Sequence, residues 1–366
     1  MESNDCFEGF VVSSHEKWQE FSKQPLKAKQ FGDRDVDIEI ECCGVCGSDV
    51  HTITGGWGSV PLPLCVGHEI VGHAVRVGKD VTTVKLGDRV GVGAQIWACL
   101  DCPQCKSDNE NYCPHMVDTY GSQYPESVDP NKTISQGGFA SHIRAHEYFV
   151  FKIPDEIPSH MAAPMLCAGL TVWSPLVRAS IGPGKTLAVV GLGGLGHFAV
   201  MWGTALGAEV SVISHSPSKK ADALNLGAKR FIISNDPDWH KPYAFAFDMV
   251  LNTANMTQNF NIPEYLSLCK VNGSFHQVGL PNDPLPPFRT QAFMPNGSSI
   301  GASHIGSRQE CLAMLDFAAR RRLLPRVETI PISEEGCKTA TTKVKDGSAK
   351  YRITLTDFDK AFRMPK

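Results

Sequence analysis

Four cysteines lie close together in the chain, with the spacing Cys99-x2-Cys102-x2-Cys105-x7-Cys113. Four thiolates at this spacing can close a tetrahedral shell around zinc and leave no position for a substrate. The residues between them are polar and rich in turn formers, so metal binding would supply the folding energy of this lobe. An iron–sulfur cluster and four free thiols are the alternatives; the spacing favours a structural zinc site.

A second set of possible metal ligands is scattered along the chain. Cys46 lies early, His68 follows after a gap, and Cys167 lies much further on. Two cysteines and one histidine would leave a fourth zinc position open for water or substrate, as catalysis requires. Spacing alone does not join these residues into one site, since a lone cysteine or histidine more often packs in a core than binds a metal.

A glycine-rich run, Gly191-Leu192-Gly193-Gly194-Leu195-Gly196, follows an apolar strand-like segment and opens a helix-like one. This is the context in which G-x-G-x-x-G binds a dinucleotide. Gly191 would allow the tight turn, Gly193 would let the backbone approach a pyrophosphate, and Gly196 would let the helix pack close to the strand. The alternative is a glycine-lined helix–strand contact without a ligand.

The segment after the next strand indicates which dinucleotide is bound. An acidic residue at this position would bind the 2′-hydroxyl of NAD. The chain instead has Ser214, His215, Ser216 and Lys219, with no acidic residue among them. Hydroxyls and a lysine suit a 2′-phosphate, so the sequence favours NADP. The alternative is a solvated, lysine-rich helix start that is indifferent to the phosphate.

Composition excludes several other functions. The chain has 366 residues and a formal net charge of -3, which argues against a protein that binds nucleic acid by neutralising phosphates. The sequence shows neither a secretory signal nor a continuous apolar membrane span. Thirteen cysteines without such a signal favour metal binding or catalysis over disulfides, and a cytoplasmic location is expected.

Local patterns divide the chain into two styles. Short strand-like runs separated by turn residues fill the first 155 residues or so. After Pro154, strand-like and helix-like segments alternate, which predicts parallel βαβ units. The tail carries one clear helix, predicted over residues 309–322, and then short strands ending at Leu355.

Taken together, these features resemble the zinc-dependent medium-chain alcohol dehydrogenases, and most of all their NADP-dependent cinnamyl-alcohol-dehydrogenase-like branch. The resemblance covers nearly the whole chain. It implies an α/β protein in which residues 1–157 and 305–366 form a β-rich GroES-like catalytic domain and residues 158–304 form a doubly wound Rossmann domain. The matching stretches are residues 46–51, 67–69, 99–113, 136–139, 163–171, 191–196 and 351–355.

The resemblance also implies roles for residues near a catalytic zinc. Cys46, His68 and Cys167 match its ligands, and Glu69 matches an acidic group that can serve as an alternate ligand. Ser48 matches the hydroxyl that exchanges a proton with the substrate, and His51 matches the distal end of the proton relay. Asp49 matches the carboxylate that orients His68.

On the cofactor side, the resemblance places Thr171 at the nicotinamide and Ser214, Ser216 and Lys219 at the 2′-phosphate. His215 stands where yeast members of this branch have arginine. A neutral imidazole holds phosphate less firmly than a guanidinium, so the preference for NADP is expected to be weaker or dependent on pH.

The resulting hypothesis is a homodimeric alcohol dehydrogenase or aldehyde reductase with two zinc ions per chain and NADP(H). Its expected substrates are aromatic or medium-chain aldehydes and alcohols, because Trp57, Trp97, Met116 and Tyr120 lie near the zinc motifs in sequence. Ordinary packing of these side chains is the alternative. The rival functions are a biosynthetic reductase of an iminium or conjugated carbonyl, a non-enzymatic zinc- and nucleotide-binding protein, and a zinc-ribbon nucleic-acid module.

Overall fold

The computed structural model describes residues 6–258 and 260–362. The chain forms two compact units. Unit 1 contains the residues up to Leu170 together with those from Ser307 onward, and unit 2 is Thr171–Gly306. Residues 158–170, which the sequence analysis assigned to the nucleotide-binding domain, pack within unit 1. The domain boundaries expected from the sequence, after residues 157 and 304, stay predictions.

The strands are numbered along the chain. They are β1 (Cys6–Val12), β2 (Phe21–Lys27), β3 (Asp35–Val45), β4 (Glu69–Val77), β5 (Arg89–Val92), β6 (Gln95–Trp97), β7 (Val117–Asp118), β8 (His142–His146), β9 (Val150–Lys152), β10 (Thr186–Val190), β11 (Glu209–Ser214), β12 (Arg230–Ile233), β13 (Phe247–Asn252), β14 (Cys269–Gln277), β15 (Ser299–Ala302), β16 (Val327–Pro331) and β17 (Arg352–Thr356).

The α-helices are numbered in the same way. They are α1 (Gly47–Ile53), α2 (Pro103–Lys106), α3 (Ser159–Ala162), α4 (Ala168–Arg178), α5 (Gly196–Ala205), α6 (Lys220–Asn225), α7 (Ile262–Ser267), α8 (Arg308–Arg321), α9 (Glu334–Lys345) and α10 (Phe358–Phe362). Short 3₁₀ helices occupy Glu110–Tyr112, Glu147–Phe149, Ala163–Leu166, Pro217–Lys219, Lys241–Tyr243 and Thr290–Phe293.

Unit 1 is built on a seven-stranded sheet with the order β16-β17-β3-β4-β5-β9, in which β8 also pairs with β3. The tail returns to this unit, because β17 pairs antiparallel with β3 from Ile353 to Leu355. Val36, Ile38 and Ile40 alternate along β3 and are fully buried, as expected of a strand with one face toward a core. The sheet therefore presents the ends of β3, β4 and β17 next to one another.

Unit 2 is a parallel sheet with the order β12-β11-β10-β13-β14-β15. Strand order reverses on the two sides of β10, which is the arrangement of a Rossmann fold and places a ligand at the carboxyl end of β10. Leu187, Ala188 and Val189 in β10 are fully buried, as in a strand covered on both faces. The predicted α/β architecture, with a β-rich part and a Rossmann part, is confirmed.

Helix α9 and strand β15 are among the elements that the sequence analysis did not predict. Helix α9 separates β16 from β17, where the sequence indicated only short strands. Ser333 caps this helix by accepting a hydrogen bond from the backbone N–H of Gly336, but the helix itself is poor in large apolar residues. Strand β15 was also missed, because all four of its residues are exposed and show no burial alternation.

No single helix in the described part of the chain is long and apolar enough to cross a membrane. The stretch Ser159–Leu166 and helix α4 reach such a length and apolar composition only when they are taken together, and they are bent by 54° relative to each other. Buried core helices often have the same length and composition.

Candidate metal centre and cofactor site

Asp49 organises the first part of the site in unit 1. Its fully buried carboxylate accepts hydrogen bonds from the backbone N–H groups of Cys46 (2.8 Å) and Gly67 (3.1 Å). The same carboxylate accepts a hydrogen bond from Nδ1 of His68 at 2.9 Å. One side chain at the start of α1 therefore fixes the start of α1 and the segment that leads into β4. Because Nδ1 of His68 donates to Asp49, Nε2 keeps its lone pair for a metal ion.

The structure brings together the four scattered ligand candidates. One donor atom from each of Cys46, His68, Glu69 and Cys167 lies within 4.8 Å of the others, and all four residues are buried. Nε2 of His68 is 3.1 Å from Sγ of Cys167. Two thiols and an imidazole with a fixed second nitrogen form the donor set of a catalytic zinc site, and the carboxylate is a possible fourth ligand. The residues present fit zinc.

Glu69 is held by a residue that the sequence analysis did not assign to the site. Arg352 in β17 is buried and donates a hydrogen bond to Oε1 of Glu69, and the backbone N–H of Ala168 donates to the same oxygen at 3.4 Å. The second oxygen, Oε2, has no hydrogen-bond partner among the described residues. A Cβ atom on Gly44 would lie 2.1 Å from Oε2, so glycine leaves the space that this carboxylate occupies.

Electrostatics favour one thiolate at this centre. The hydrogen bond from Cys167 lowers the pKa of Cys46 well below its usual range, and His68 lowers it further. The same contact raises the pKa of Cys167. Burial raises the pKa of Glu69 to about 7, although the charge of Arg352 opposes this. Metal ligands must be deprotonated, so binding of a divalent ion here would release protons and depend on pH.

Helix α1 also carries the two residues expected in proton transfer. Oγ of Ser48 lies 3.7 Å from Sγ of Cys46, next to the ligand cluster. His51 lies in the last turn of α1, and the ring of Trp57 stacks on it with centroids 4.6 Å apart. Trp57 is 43% exposed.

The remaining aromatic candidates occupy different surroundings. Trp97 is half-buried and packs against the main core of unit 1. The ring centroid of Tyr120 is 5.6 Å from that of His68, which places this tyrosine beside the ligand cluster. Met116 packs with the small apolar cluster of the four-cysteine lobe.

The four-cysteine lobe has the geometry of a second metal site. The sulfur atoms of Cys99, Cys102, Cys105 and Cys113 all lie within 4.8 Å of one another. Backbone N–H groups point at these sulfurs, among them that of Cys102 toward Cys99 at 3.4 Å. A backbone hydrogen bond from Asp101 is the main cause that lowers the pKa of Cys99 to about 6. The set has no imidazole or carboxylate, and it fits a closed tetrahedral zinc site.

The glycine-rich turn lies at the carboxyl end of β10 in unit 2. Gly191 has φ +84°, a conformation that favours glycine. A Cβ on Gly196 would lie 2.0 Å from the carbonyl oxygen of Gly191, so α5 starts in direct contact with the turn. A Cβ on Gly193 would meet nothing within 4 Å, which leaves open space beside the backbone there. Together with Gly194 and Leu195, this turn fits the pyrophosphate of a dinucleotide.

The residues expected at the 2′-phosphate follow β11. Ser214 ends the strand and is half-buried, and His215 is exposed. Ser216 accepts a hydrogen bond from the backbone N–H of Ser218 at 3.3 Å and so caps the next 3₁₀ helix. Nζ of Lys219 donates to the carbonyl oxygen of Leu192 at 2.9 Å, which joins the lysine to the glycine-rich turn. Thr171 lies in the first turn of α4 and is the first residue of unit 2.

Comparison with known proteins agrees with both units. Residues 32–155 match the family model of the alcohol dehydrogenase GroES-like domain, and residues 194–320 match that of zinc-binding dehydrogenases. An NADP-dependent alcohol dehydrogenase from Saccharomyces cerevisiae is 42% identical over 362 residues, which cover 97% of this chain and 98% of the relative. A cinnamyl alcohol dehydrogenase from Arabidopsis thaliana is 40% identical over 332 residues, covering 89% and 85% of the two chains.

Solved structures show the same relationship. A cinnamyl alcohol dehydrogenase from Sorghum bicolor aligns with a TM-score of 0.89 and 35% identity over 96% of this chain and 97% of its own. The Helicobacter pylori enzyme in complex with NADP(H) aligns with a TM-score of 0.86 and 32% identity over 96% and 98% of the two chains. The chain belongs to the zinc-binding medium-chain alcohol dehydrogenases, within the group that resembles cinnamyl alcohol dehydrogenase.

Proposed function

We propose that this protein interconverts aldehydes and alcohols with NADP(H) at the cluster of Cys46, His68 and Cys167. The observation that supports this most strongly is the buried cluster of two thiols and one oriented imidazole, which offers three ligands to zinc, so that a fourth coordination position would be available to a substrate oxygen. The names of the yeast, plant and bacterial relatives agree with this reaction.

Each residue around the cluster has a separate proposed role in the reaction. Zinc bound there would polarise the substrate oxygen as a Lewis acid. Ser48 would donate its hydroxyl proton to that oxygen during aldehyde reduction and take a proton from the alcohol in the reverse direction. His51 would restore the proton of Ser48 from solvent. Asp49 would hold His68 in the correct tautomer, and Arg352 would hold Glu69 within reach of the metal site.

NADPH is the proposed hydride donor and is bound by unit 2. The backbone of residues 191–196 would hold the pyrophosphate at the start of α5. Ser214, Ser216 and Lys219 would contact the 2′-phosphate, and Thr171 would contact the nicotinamide. The absence of an acidic residue from the segment 214–220 supports this choice, because a carboxylate there would repel the phosphate.

A second zinc ion is proposed for Cys99, Cys102, Cys105 and Cys113. Its role would be structural, since the lobe around it buries only a small apolar cluster that includes Ala98 and Phe149. Twelve of the thirteen cysteines are described with their side chains, and all twelve are free thiols. Free thiols and thiolate-ligated metals both suit a reducing environment, which supports the proposed cytoplasmic location.

A homodimer is proposed through the edge of the sheet in unit 2. Strand β15 is the last strand of that sheet, and its four residues are all exposed. An uncovered edge strand presents unpaired backbone groups that a second copy can satisfy. Met294, shortly before this strand, is 80% exposed and adds apolar surface.

The proposed substrates are aromatic and medium-chain aldehydes, in keeping with the relatives' names and with Tyr120 beside His68. The test follows the loss of near-ultraviolet absorbance of NADPH with cinnamaldehyde, benzaldehyde and hexanal, and NADH is compared in parallel. Fast oxidation of NADPH and slow oxidation of NADH are expected.

Two results would change this account. Equal rates with NADPH and NADH would mean that the segment with His215 does not select the phosphate. No turnover with either cofactor, in protein shown to carry zinc at both sites, would contradict the aldehyde reductase and point to a biosynthetic reductase on the same scaffold. Ser48 and His51 argue for carbonyl chemistry, since iminium reduction needs no proton at an alkoxide.

A further inference from the structure

The loop that follows α1 folds back over the last turn of that helix. The backbone N–H of Gly56 donates to the carbonyl oxygen of His51 at 2.8 Å, and that of Gly58 donates to Gly55 at 3.1 Å. Gly55 and Gly58 have φ values of +70° and +109°, so the two glycines give the loop its reversal. The result is that Trp57, six residues after His51 in the chain, lies over the imidazole.

The contact between the two rings is an offset stack. Their centroids are 4.6 Å apart and their planes differ by 13°. The end of α1 behind them is anchored, because Oγ1 of Thr54 donates to the carbonyl oxygen of Val50 at 2.7 Å and the ring of His15 is hydrogen-bonded to the carbonyl oxygen of Ile53 at 3.0 Å. The helix turn that carries His51 is therefore held in place, and the indole lies against its imidazole.

Burial of the indole does not explain this arrangement. Trp57 is 43% exposed, whereas Trp173, Trp202 and Trp239 are all less than 10% exposed. An indole that stays in solvent contributes little to a hydrophobic core. One face of this half-exposed ring instead contacts the imidazole of His51.

We propose that Trp57 is a positioning residue for proton transfer through His51. The stack limits rotation of the imidazole about χ2, so that the two ring nitrogens of His51 keep fixed directions. During aldehyde reduction, the hydride goes to the carbonyl carbon and the proton of Ser48 goes to the carbonyl oxygen. His51 then returns a proton to Ser48, and solvent returns one to His51. The inference rests on the proposed function and adds to it a second residue that acts only through His51.

The first test is a double-mutant cycle. Trp57→Leu keeps apolar bulk but removes the ring face, and Trp57→Phe keeps a face. With a saturating aldehyde, Trp57→Leu is expected to lower kcat roughly two- to tenfold, the range that an aromatic stack supports. It should also raise the solvent deuterium isotope effect, and Trp57→Phe should lose less. In a His51→Gln background, Trp57→Leu should have no further effect, because the group that it positions is gone.

Two results would overturn the inference. A Trp57→Leu variant with a higher KM for bulky aldehydes but unchanged kcat and isotope effect would make Trp57 a wall of the substrate pocket and nothing more. Equal losses from Trp57→Leu in the wild-type and His51→Gln backgrounds would show that it does not act through His51.

A second measurement does not depend on activity. In spectra of protein with ¹³C-labelled histidine, the ring proton signals of His51 are identified by their loss in His51→Gln. Ring current from the stacked indole should displace them upfield in the wild type and in part in Trp57→Phe, and Trp57→Leu should abolish this displacement. If the signals of His51 were the same in Trp57→Leu as in the wild type, the stack would not exist in solution and the inference would be wrong. An inactive wild type that keeps the displacement would contradict the proposed function while leaving the stack established.

Discussion

Asp49 and the cluster that it orients account for most of the proposed chemistry at the residue scale. One buried carboxylate accepts three hydrogen bonds, and these join the beginning of α1 to the segment that carries His68. The metal site thus depends on a residue that does not itself bind the metal.

Asp49→Asn tests this dependence. The amide keeps one acceptor oxygen, but its NH₂ group takes the place of the other and cannot accept a hydrogen bond. It also lacks the charge that favours a donor at Nδ1 of His68, so the imidazole is held less firmly. Zinc affinity at the Cys46 cluster is expected to fall by roughly 10- to 100-fold. Competition with a chelator, followed by measurement of retained zinc, should show this loss. The four-cysteine site is the internal control, and equal loss at both sites would indicate general unfolding.

His215→Arg tests the cofactor preference. A guanidinium binds phosphate with two parallel hydrogen bonds, so the ratio of kcat/KM for NADPH over NADH should rise by about tenfold. His215→Gln, which adds no charge, is the matched control and should not raise the ratio. Binding of adenosine 2′,5′-bisphosphate compared with AMP gives the same answer without turnover. If Arg and Gln variants behaved alike, residue 215 would lie outside the phosphate site.

Local spacing explains which site residues could be predicted. Cys99 to Cys113 lie in one short segment, so their spacing in the sequence is enough to indicate zinc. Cys167 was joined to Cys46 only by resemblance, because their contact depends on how unit 1 folds. Arg352 was missed for the same reason, since β17 reaches Glu69 only after the tail pairs with β3.

At the scale of elements, Asp248 joins three strands of unit 2. Its carboxylate accepts hydrogen bonds from the backbone N–H and Oγ1 of Thr186 in β10, at 2.8 and 2.9 Å, and from Nζ of Lys270 in β14 at 2.7 Å. Lys185 adds a longer contact at 3.3 Å. Burial alone would raise the pKa of Asp248, but these partners lower it below its usual range.

Asp248→Asn is therefore expected to destabilise the protein in a pH-dependent way. A depressed pKa contributes stability that is fully present above the pKa of the unfolded chain, near 4, and is lost as pH falls below it. At pH 7 the variant should lose about 1–3 kcal/mol of unfolding free energy. Urea unfolding followed by circular dichroism between pH 7 and pH 3 should show the difference between the proteins shrinking below about pH 4. A difference that is the same at every pH would contradict this role of the charge.

Periodicity determined which elements could be predicted. The alternation of strand-like and helix-like segments predicted after Pro154 is found in the structure, where β10, α5 and β11 follow one another around the glycine-rich run. Helix α8 was expected over 309–322 and is found at Arg308–Arg321, where Ser307 and Glu310 form a capping box. Strand β15 has no buried face within the chain, so no alternation marks it.

At the scale of the whole molecule, the prediction of a dimer rests on the exposed edge strand β15 of unit 2. Ile300 is the large apolar residue of β15 and is 38% exposed. Ile300→Lys places a charge on an edge strand, which opposes pairing with a second copy. Light scattering after size-exclusion chromatography should give a dimer for the wild type and a monomer for the variant. Thr329→Lys, on the edge strand β16 of unit 1, is the control and should remain dimeric.

The most direct measurement compares the wild type with Cys46→Ser in NADPH oxidation driven by cinnamaldehyde, after the zinc content of both proteins has been determined. The wild type should carry two zinc ions and consume NADPH. Cys46→Ser should keep the zinc of the four-cysteine lobe, lose the other and lose turnover. Undiminished turnover by a Cys46→Ser protein that lacks the zinc of the Cys46 cluster would contradict the claim that aldehyde reduction takes place at the cluster of Cys46, His68 and Cys167.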